Sequence, residues 1–405
     1  MKILQINAVN AIKSTGRTCL EMSNFLNEKG HNCVTAYSMG PSVNAENEFI
    51  VGSAFNRKAH AFFSRAFGMQ GYFSFSATKK LLKFMDEYKP DVVVLNNLHA
   101  NYINLPLLLK YLAKNDIATV VVLHDCWFYT GKCCHYTAQG CYKWKESCGN
   151  CPQLKKYNKS WFFDRTEKML TDKKKLFGAI PRLVVIGVSD WILSEAKSAP
   201  VFENAKLFKR IYNWIDTETF VPKNTDALRQ KLGFEGKKVI LAVASKWSKE
   251  KGIDTLLELA KQLTESEKLL LVGNIGDIKL SENIIHIAAT NSVEELASYY
   301  FLADVFVQPS LEETFGKVTA EALSCGTPAV CFNSTANPEL IVEGCGAVAE
   351  AGSLEDMLSK IRAILSEGKE KYSQNSRQFA ENNFGKENNL EKYLNLLKKI
   401  SGEII

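Results

Sequence analysis

Short apolar runs recur along the chain, and each is followed by a stretch with helical spacing. Ile3 to Asn7 alternates like a buried strand, Arg17 to Lys29 carries a helical period, and Gly30 ends it. His31–Tyr37, Asp91–Leu95, Thr119–Leu123 and Arg182–Val188 are further strand-like runs, and such alternation predicts parallel sheets with right-handed crossovers. The pattern restarts at Lys238–Ala244 and continues through Lys268–Gly273, Ile284–Ile287, Val305–Val307 and Ala329–Cys331. Two doubly wound α/β domains are therefore expected, with the irregular piece Ile211–Pro222 as a hinge between them. A last helix, Glu387–Ile400, carries a stripe of Leu390, Tyr393, Leu394, Leu397 and Ile400 that would be buried by packing back on the N-terminal domain. The expected division is residues 1–212 completed by 388–405, and residues 213–387. Ligands of open parallel sheets bind at the carboxyl ends of strands, so two facing sheets would place one ligand in an interdomain cleft.

Composition narrows the class. The 405 residues are 46% hydrophobic and 23% charged, which excludes a disordered chain. No apolar run approaches the ~18 residues that span a bilayer. The N-terminal strand pattern lacks the apolar block of a signal peptide, so a cytoplasmic location is expected. The 11 cysteines would then be reduced thiols or metal ligands. Net charge is a modest +6, yet residues 55–85 interleave many aromatics with Arg57, Lys58, Arg65, Lys79, Lys80 and Lys83. That mixture suits a peripheral contact with the anionic inner membrane or a lipid-phosphate acceptor. Core packing of a helix pair explains the aromatics nearly as well. No nucleic-acid motif accompanies the charge, so nucleic acid is not an expected partner.

The segment Ser310–Val330 is the richest in chemistry. It sets Glu313 and Glu321 around the start of a helix, Lys317–Leu323, which the turn Thr314-Phe315-Gly316 enters and Gly326 with Pro328 stops. Free N–H groups at Gly316, Lys317 and Val318 would point at an anion, and a phosphate is the natural guest. With an acid on either side, the segment suits a sugar nucleotide. An ordinary amphipathic helix with solvated acids accounts for the same pattern. Three other loops at strand ends are candidates. Lys246 and Lys251-Gly252 flank a strand-to-helix turn and suit a diphosphate, though a solvated charge run has the same look. Gly16 lets backbone approach a ligand closely, and His124 ends a buried strand, where it can hydrogen-bond a hydroxyl or simply be structural.

Together these residues resemble glycosyltransferase family 4, retaining enzymes of the GT-B fold. Further matches are Asn213-Trp-Ile-Asp-Thr-Glu-Thr-Phe220, Lys251-Gly252-Ile-Asp254, Leu271-Val-Gly273, Ala303–Ser310, and Gly30-His31 closing the first helix. The resemblance implies that Glu313 holds donor-sugar hydroxyls beside the anomeric carbon and that Glu321 holds the ribose. It implies that backbone at Gly316, Lys317 and Val318 binds the diphosphate, with Lys251 meeting its charge, Lys246 and Phe315 also in the donor-binding set, and Gly16 on the phosphate loop. His124 would orient a distal hydroxyl and support charge at the reacting centre. No cofactor is implied for catalysis, and the sequence lacks an Asp-x-Asp metal clamp.

Three departures stand out: Lys246 replaces the usual arginine, Gly16 stands where a glycine pair is frequent, and Trp214 follows Asn213 in place of glycine. The implied activity is hexosyl transfer from a UDP- or GDP-sugar to a saccharide or polyprenyl-diphosphate-linked saccharide, in assembly of O-antigen, capsule or other lipopolysaccharide and exopolysaccharide. Front-face displacement, with the leaving diphosphate helping to deprotonate the acceptor, is the implied mechanism. A nucleotide-sugar epimerase of the same shape and a zinc-stabilised binding module without activity are the alternatives.

Residues 124–153 hold a cysteine patch. Cys148-x-x-Cys151 has knuckle spacing, and Cys133 or Cys134 with Cys141 would complete four thiolates for structural zinc. The stretch is similar to an insertion in family members of bacterial surface-polysaccharide pathways, where the first cysteine follows Thr-Gly-x, which favours Cys133. Reduced thiols in a packed loop are the other reading. Gly344–Ala349 formally matches a dinucleotide fingerprint, but it follows a helical piece, Pro338–Val342, and so lacks the strand the mechanism needs.

Overall fold

The computed structural model describes residues 1–290 and 292–402. The chain divides into a first unit, Met1–Ile211 with the residues from Leu390 onward, and a second, Tyr212–Asn389.

Among the described residues, thirteen strands form two sheets. The first unit contributes β1 (Lys2–Ile6), β2 (Asn32–Tyr37), β3 (Glu48–Ile50), β4 (Val92–Leu95), β5 (Ala118–Leu123), β6 (Leu183–Gly187) and β7 (Leu207–Arg210). The second contributes β8 (Lys238–Lys246), β9 (Glu267–Asn274), β10 (Ile284–Ile287), β11 (Val305–Gln308), β12 (Ala329–Phe332) and β13 (Gly346–Ala349). Their orders are β3-β2-β1-β4-β5-β6-β7 and β10-β9-β8-β11-β12-β13, and every pairing is parallel. Central strands such as Val92-Val-Val-Leu95 and Ala118–Leu123 are buried on both faces, which is why they read as continuous apolar runs and not as alternating ones.

Each sheet reverses its winding once, between β1 and β4 and between β8 and β11. These are the switch points where doubly wound sheets receive ligands. The loops leaving β8 and β11 carry Lys246 to Gly252 and Ser310 to Gly316, so the register of the second sheet brings the lysine loop beside the acidic segment. A bulge between Val243 and Lys246 interrupts β8 near its end, and Trp247, just beyond, turns inward, where Nε1 donates to the Val272 carbonyl at 3.0 Å.

Several details differ from the sequence pattern. The first helix starts at Lys13, not Arg17, so Gly16 lies in its first turn. The last helix runs Lys386–Ser401, and Leu396 is buried with Leu390, Tyr393, Leu394 and Leu397, whereas Ile400 is half-buried. Residues 55–85 do form a helix pair, Ala54–Phe67 and Phe75–Tyr88, but its buried residues are His60, Ser64, Ala77, Thr78, Leu81 and Met85. Phe55, Phe62, Phe63, Phe67 and Phe75 are exposed, so packing within the pair does not account for these aromatics. Gly346 starts β13 and is preceded by a short 3-10 turn, Asn337–Leu340, not by a strand.

Candidate functional site

In the second unit the site is built around Glu313. Its backbone N–H donates to Thr335 Oγ1 at 2.9 Å, and its carbonyl accepts from the Ala336 N–H at 3.2 Å, which fixes the loop after β11 against the loop after β12. The carboxylate Oε1 accepts from Lys251 Nζ at 2.5 Å and from Gln308 Nε2 at 3.4 Å. Glu313 is largely covered at 15% exposure while Lys251 keeps 40%, so the acid is held and the cation reaches solvent. Ser310 Oγ donates to Gln308 Oε1 at 3.1 Å, and the Ser310 carbonyl accepts from Asn337 Nδ2 at 2.9 Å.

The helix Lys317–Ser324 begins directly after this loop. Its cap, Gly316, sits in left-handed backbone at φ 86°, a conformation that costs other residues about 1–2 kcal/mol. No backbone acceptor among the described residues takes the N–H groups of Gly316, Lys317 and Val318, so they form an open positive end. Phe315 is buried, its ring 5.7 Å from that of Tyr212 and 5.4 Å from that of Phe384. Its side chain is therefore an anchor, and only its backbone faces the helix start. Glu321 is buried one turn further in, and its Oε2 accepts from Tyr300 Oη at 2.9 Å.

Gly252, also left-handed at φ 79°, caps the helix Ile253–Lys261. A Cβ there would lie 2.4 Å from the Pro309 carbonyl oxygen, so only glycine lets the Lys251 loop approach the acidic loop this closely. Lys246 is exposed at the end of β8 and lies in the same loop system.

In the first unit, the loops after β4 and β5 are cross-linked twice. His124 Nε2 is 2.9 Å from Asn96 Oδ1, and His99 Nε2 is 2.8 Å from Asp125 Oδ2. Burial, offset in part by Asp125, lowers the His124 pKa to about 4. The ring is therefore neutral at neutral pH, a hydrogen-bonding group and not a cation. Burial alone would raise the Asp125 carboxyl, but His99 and the Trp127 N–H, 2.9 Å from Oδ1, hold it down at about 2. Asp125 in turn fixes the orientation of the His99 ring through Nε2. Gln70 Nε2 donates to the His99 carbonyl, and Gln70 Oε1 accepts from Trp127 Nε1 at 2.9 Å.

Gly16 has a structural reason of its own. A Cβ would meet Ala11 N and Val9 Cγ2 at 3.2 Å, so the missing side chain makes room for the chain's own loop after β1. The open N–H groups at this helix start belong to residues before Gly16.

The cysteine patch fills the 124–165 connection between β5 and the helix Thr166–Gly178, whose regular structure is two 3-10 turns, Thr137–Gln139 and Lys143–Lys145. Cys133, Cys141, Cys148 and Cys151 line one small cavity with Lys132, Lys143 and Trp144. Cys134 faces elsewhere, grouped with His99 and Asp125, their ligand atoms all within 4.8 Å of one another.

Sequence reasoning picked out Glu313, Glu321, Lys251 and Gly316, which the structure gathers in one unit, and His124, which it places in the other. It passed over Gln308, Tyr300, Thr335 and Asn337, which hold the acids, and Asn96, His99 and Asp125, which hold the rim of the first sheet. His99 was findable, because it stands just past a strand's carboxyl end as His124 does. Thr335, in left-handed backbone at φ 51°, has no sequence signal.

A family profile described as "Glycosyltransferase Family 4" matches residues 15–219, and one described as "Glycosyl transferases group 1" matches residues 224–383. Among curated proteins, the D-inositol 3-phosphate glycosyltransferase of Mycobacterium sp. (strain KMS) is 28% identical over 172 residues. That match covers 39% of this chain and 39% of the relative, so the chain spans about two fifths of the length of the relative it matches. Among solved structures, sucrose-phosphate synthase from Thermosynechococcus elongatus is similar over 100% of both chains, with a TM-score of 0.73 and 15% identity. Anabaena HepE in complex with UDP is similar over 98% of this chain and 100% of its own, with a TM-score of 0.65 and 17% identity. These likenesses carry the fold.

Proposed function

We propose, for a chain that belongs to glycosyltransferase family 4 and has the two parallel-sheet domains of the GT-B fold, that it transfers a sugar from a nucleotide-sugar donor to a hydroxyl acceptor with retention. The observation that carries this reading is the Lys251–Glu313 pair beside the open helix end at Gly316, at the switch point of the second sheet. The N–H groups of Gly316, Lys317 and Val318 receive the diphosphate. Lys251, with Lys246 near it, stabilises the charge that develops as the sugar–phosphate bond breaks. Glu313 accepts hydrogen bonds from the sugar hydroxyls, and Glu321 from the ribose. A UDP donor is the first to test, since a similar fold binds UDP in HepE.

Front-face displacement suits this set, because Glu313 is already occupied by Lys251 and Gln308 and is poorly placed to act as a nucleophile. In the first unit, neutral His124 and the Asp125-bound His99 stand by the carboxyl ends of β5 and β4, a rim suited to acceptor or sugar hydroxyls. A lipid-linked saccharide of a surface glycan is the acceptor class we favour. Its support is the exposed aromatic surface of Phe62, Phe63 and Phe67, which continues into Trp161, 5.6 Å from the Phe62 ring, with Lys58, Arg65 and Lys159 around it. Among the described residues no helix is long and apolar enough to cross a membrane, so such contact would be peripheral.

The test is product analysis with a panel of sugar nucleotides and a polyprenyl-diphosphate saccharide. Transfer with retained anomeric configuration is expected. Release of an epimerised donor would identify an epimerase, and neither outcome with any donor would leave a binding module.

A further inference from the structure

We propose that Cys133, Cys141, Cys148 and Cys151 bind one structural zinc ion as thiolates, and that this ion holds the long connection between β5 and the helix Thr166–Gly178. The four thiols come from three separate stretches of a segment with almost no regular structure, yet they line a single cavity. None is in a disulfide.

The backbone is already shaped for thiolates. Gly149 and Asn150 stand in left-handed conformation at φ 126° and 47°, which folds the Cys148-x-x-Cys151 turn into a knuckle. Lys143 Nζ donates to both of their carbonyls at 3.2 Å. The Gly131 N–H donates to the Cys148 sulfur and the Gln153 N–H to the Cys151 sulfur. Gln153 Nε2 lies 3.5 Å from the Cys133 sulfur, and a Cβ at Gly131 would lie 3.1 Å from the Cys148 sulfur, so that sulfur rests against the Gly131 backbone. Donors aimed at sulfur are the outer-shell arrangement that orients metal-binding thiolates.

Charge agrees as well. Four thiolates around a divalent ion carry a net double negative charge, and the cavity wall supplies two cations, Lys132 and Lys143. On binding, each thiol loses its proton to solvent and forms one metal–sulfur bond, with no change of oxidation state. Four cysteine ligands with no open position would give the closed, four-coordinate kind of site that structural zinc takes.

The competing cluster, His99 with Asp125 and Cys134, is a weaker metal site, because its histidine and carboxylate already satisfy each other at 2.8 Å. The structure thereby separates two adjacent cysteines: Cys133 belongs to the metal and Cys134 to the His99 rim.

The full chain, purified in reducing buffer without chelator, is expected to contain about one equivalent of zinc by elemental analysis. The paired variant C148S/C151S should lose it roughly tenfold or more, and C134S should keep it. Wild type that neither carries zinc nor takes it up when offered overturns the proposal, as does retention of full zinc by C148S/C151S. Because that variant can fail to fold, wild type exchanged with Co2+ gives a second reading. Intense sulfur-to-cobalt charge transfer with tetrahedral d–d bands is expected, and the weak spectrum of an octahedral oxygen site overturns it.

Discussion

Lys251 Nζ donates to Glu313 Oε1 at 2.5 Å across 62 residues of sequence. The cation assigned to the leaving diphosphate and the acid assigned to the sugar are thus a single unit in the folded chain. On the proposed assignment, a diphosphate that drew Nζ toward itself would free Oε1 for a sugar hydroxyl and so couple recognition of the two halves of the donor.

That coupling predicts how the pair responds to mutation. With Lys251 40% exposed, the pair contributes at most about 1 kcal/mol to stability, so Lys251→Ala and Glu313→Gln should leave the urea midpoint nearly unchanged. Turnover should fall by about 10²–10³ in each. The double variant should lose less than the product of the two, because the groups act together. Unchanged donor binding and turnover in both single variants would remove the site assignment.

The left-handed cap of the helix Lys317–Ser324 makes a separate prediction. At Gly316 a Cβ meets nothing closer than 3.6 Å, so Gly316→Ala tests backbone conformation alone. It should cost about 1–2 kcal/mol and weaken nucleotide diphosphate binding as the first N–H groups turn away. Gly236→Ala, at φ 65° with nothing within 4 Å, is the control: a similar stability loss with affinity intact, read by calorimetric titration.

Acid should destabilise the first unit through His60. Its Nε2 accepts from the Gly71 N–H at 3.2 Å and its Nδ1 contacts Ser74 Oγ at 2.7 Å, an arrangement that requires a neutral ring. Burial lowers the pKa to about 4 from an ordinary 6.5. The unfolded chain therefore binds the proton first. The stabilisation is fully present above pH ~6.5 and is lost as pH falls from there toward 4, on the order of 2–3 kcal/mol. Urea midpoints between pH 7 and 4 should show this slope, flattened in His60→Gln.

The exposed aromatics predict binding to anionic bilayers. Trp161 N–H donates to the Arg65 carbonyl at 2.7 Å, so the helix Ala54–Phe67 and the 160–163 loop present one continuous surface. Co-sedimentation with phosphatidylserine vesicles should fall when Phe62, Trp161 and Phe162 are replaced by serine, and should weaken as salt rises. Equal binding to neutral vesicles at all salt concentrations would count against it.

The sequence by itself determined the two-domain parallel α/β plan, because strands buried on both faces must be continuously apolar and their crossovers must be helical. Val92-Val-Val-Leu95 and Lys268–Gly273 announce this without any tertiary information. It also marked Glu313, Gly316 and Glu321, since a helix start flanked by acids is a local pattern. What it could not show is who holds whom. Phe315 stands inside the signature yet turns its ring into a core of Tyr212 and Phe384. Thr335 stands outside any motif yet carries the Glu313 backbone. Gly16 makes room for its own loop, while His99 and Asp125, 26 residues apart, form the pair that frames the first sheet's rim. Such contacts are set by strand register and by where neighbouring strands end. Only the tertiary structure decided them, because parallel pairing brings together loops that no local spacing connects.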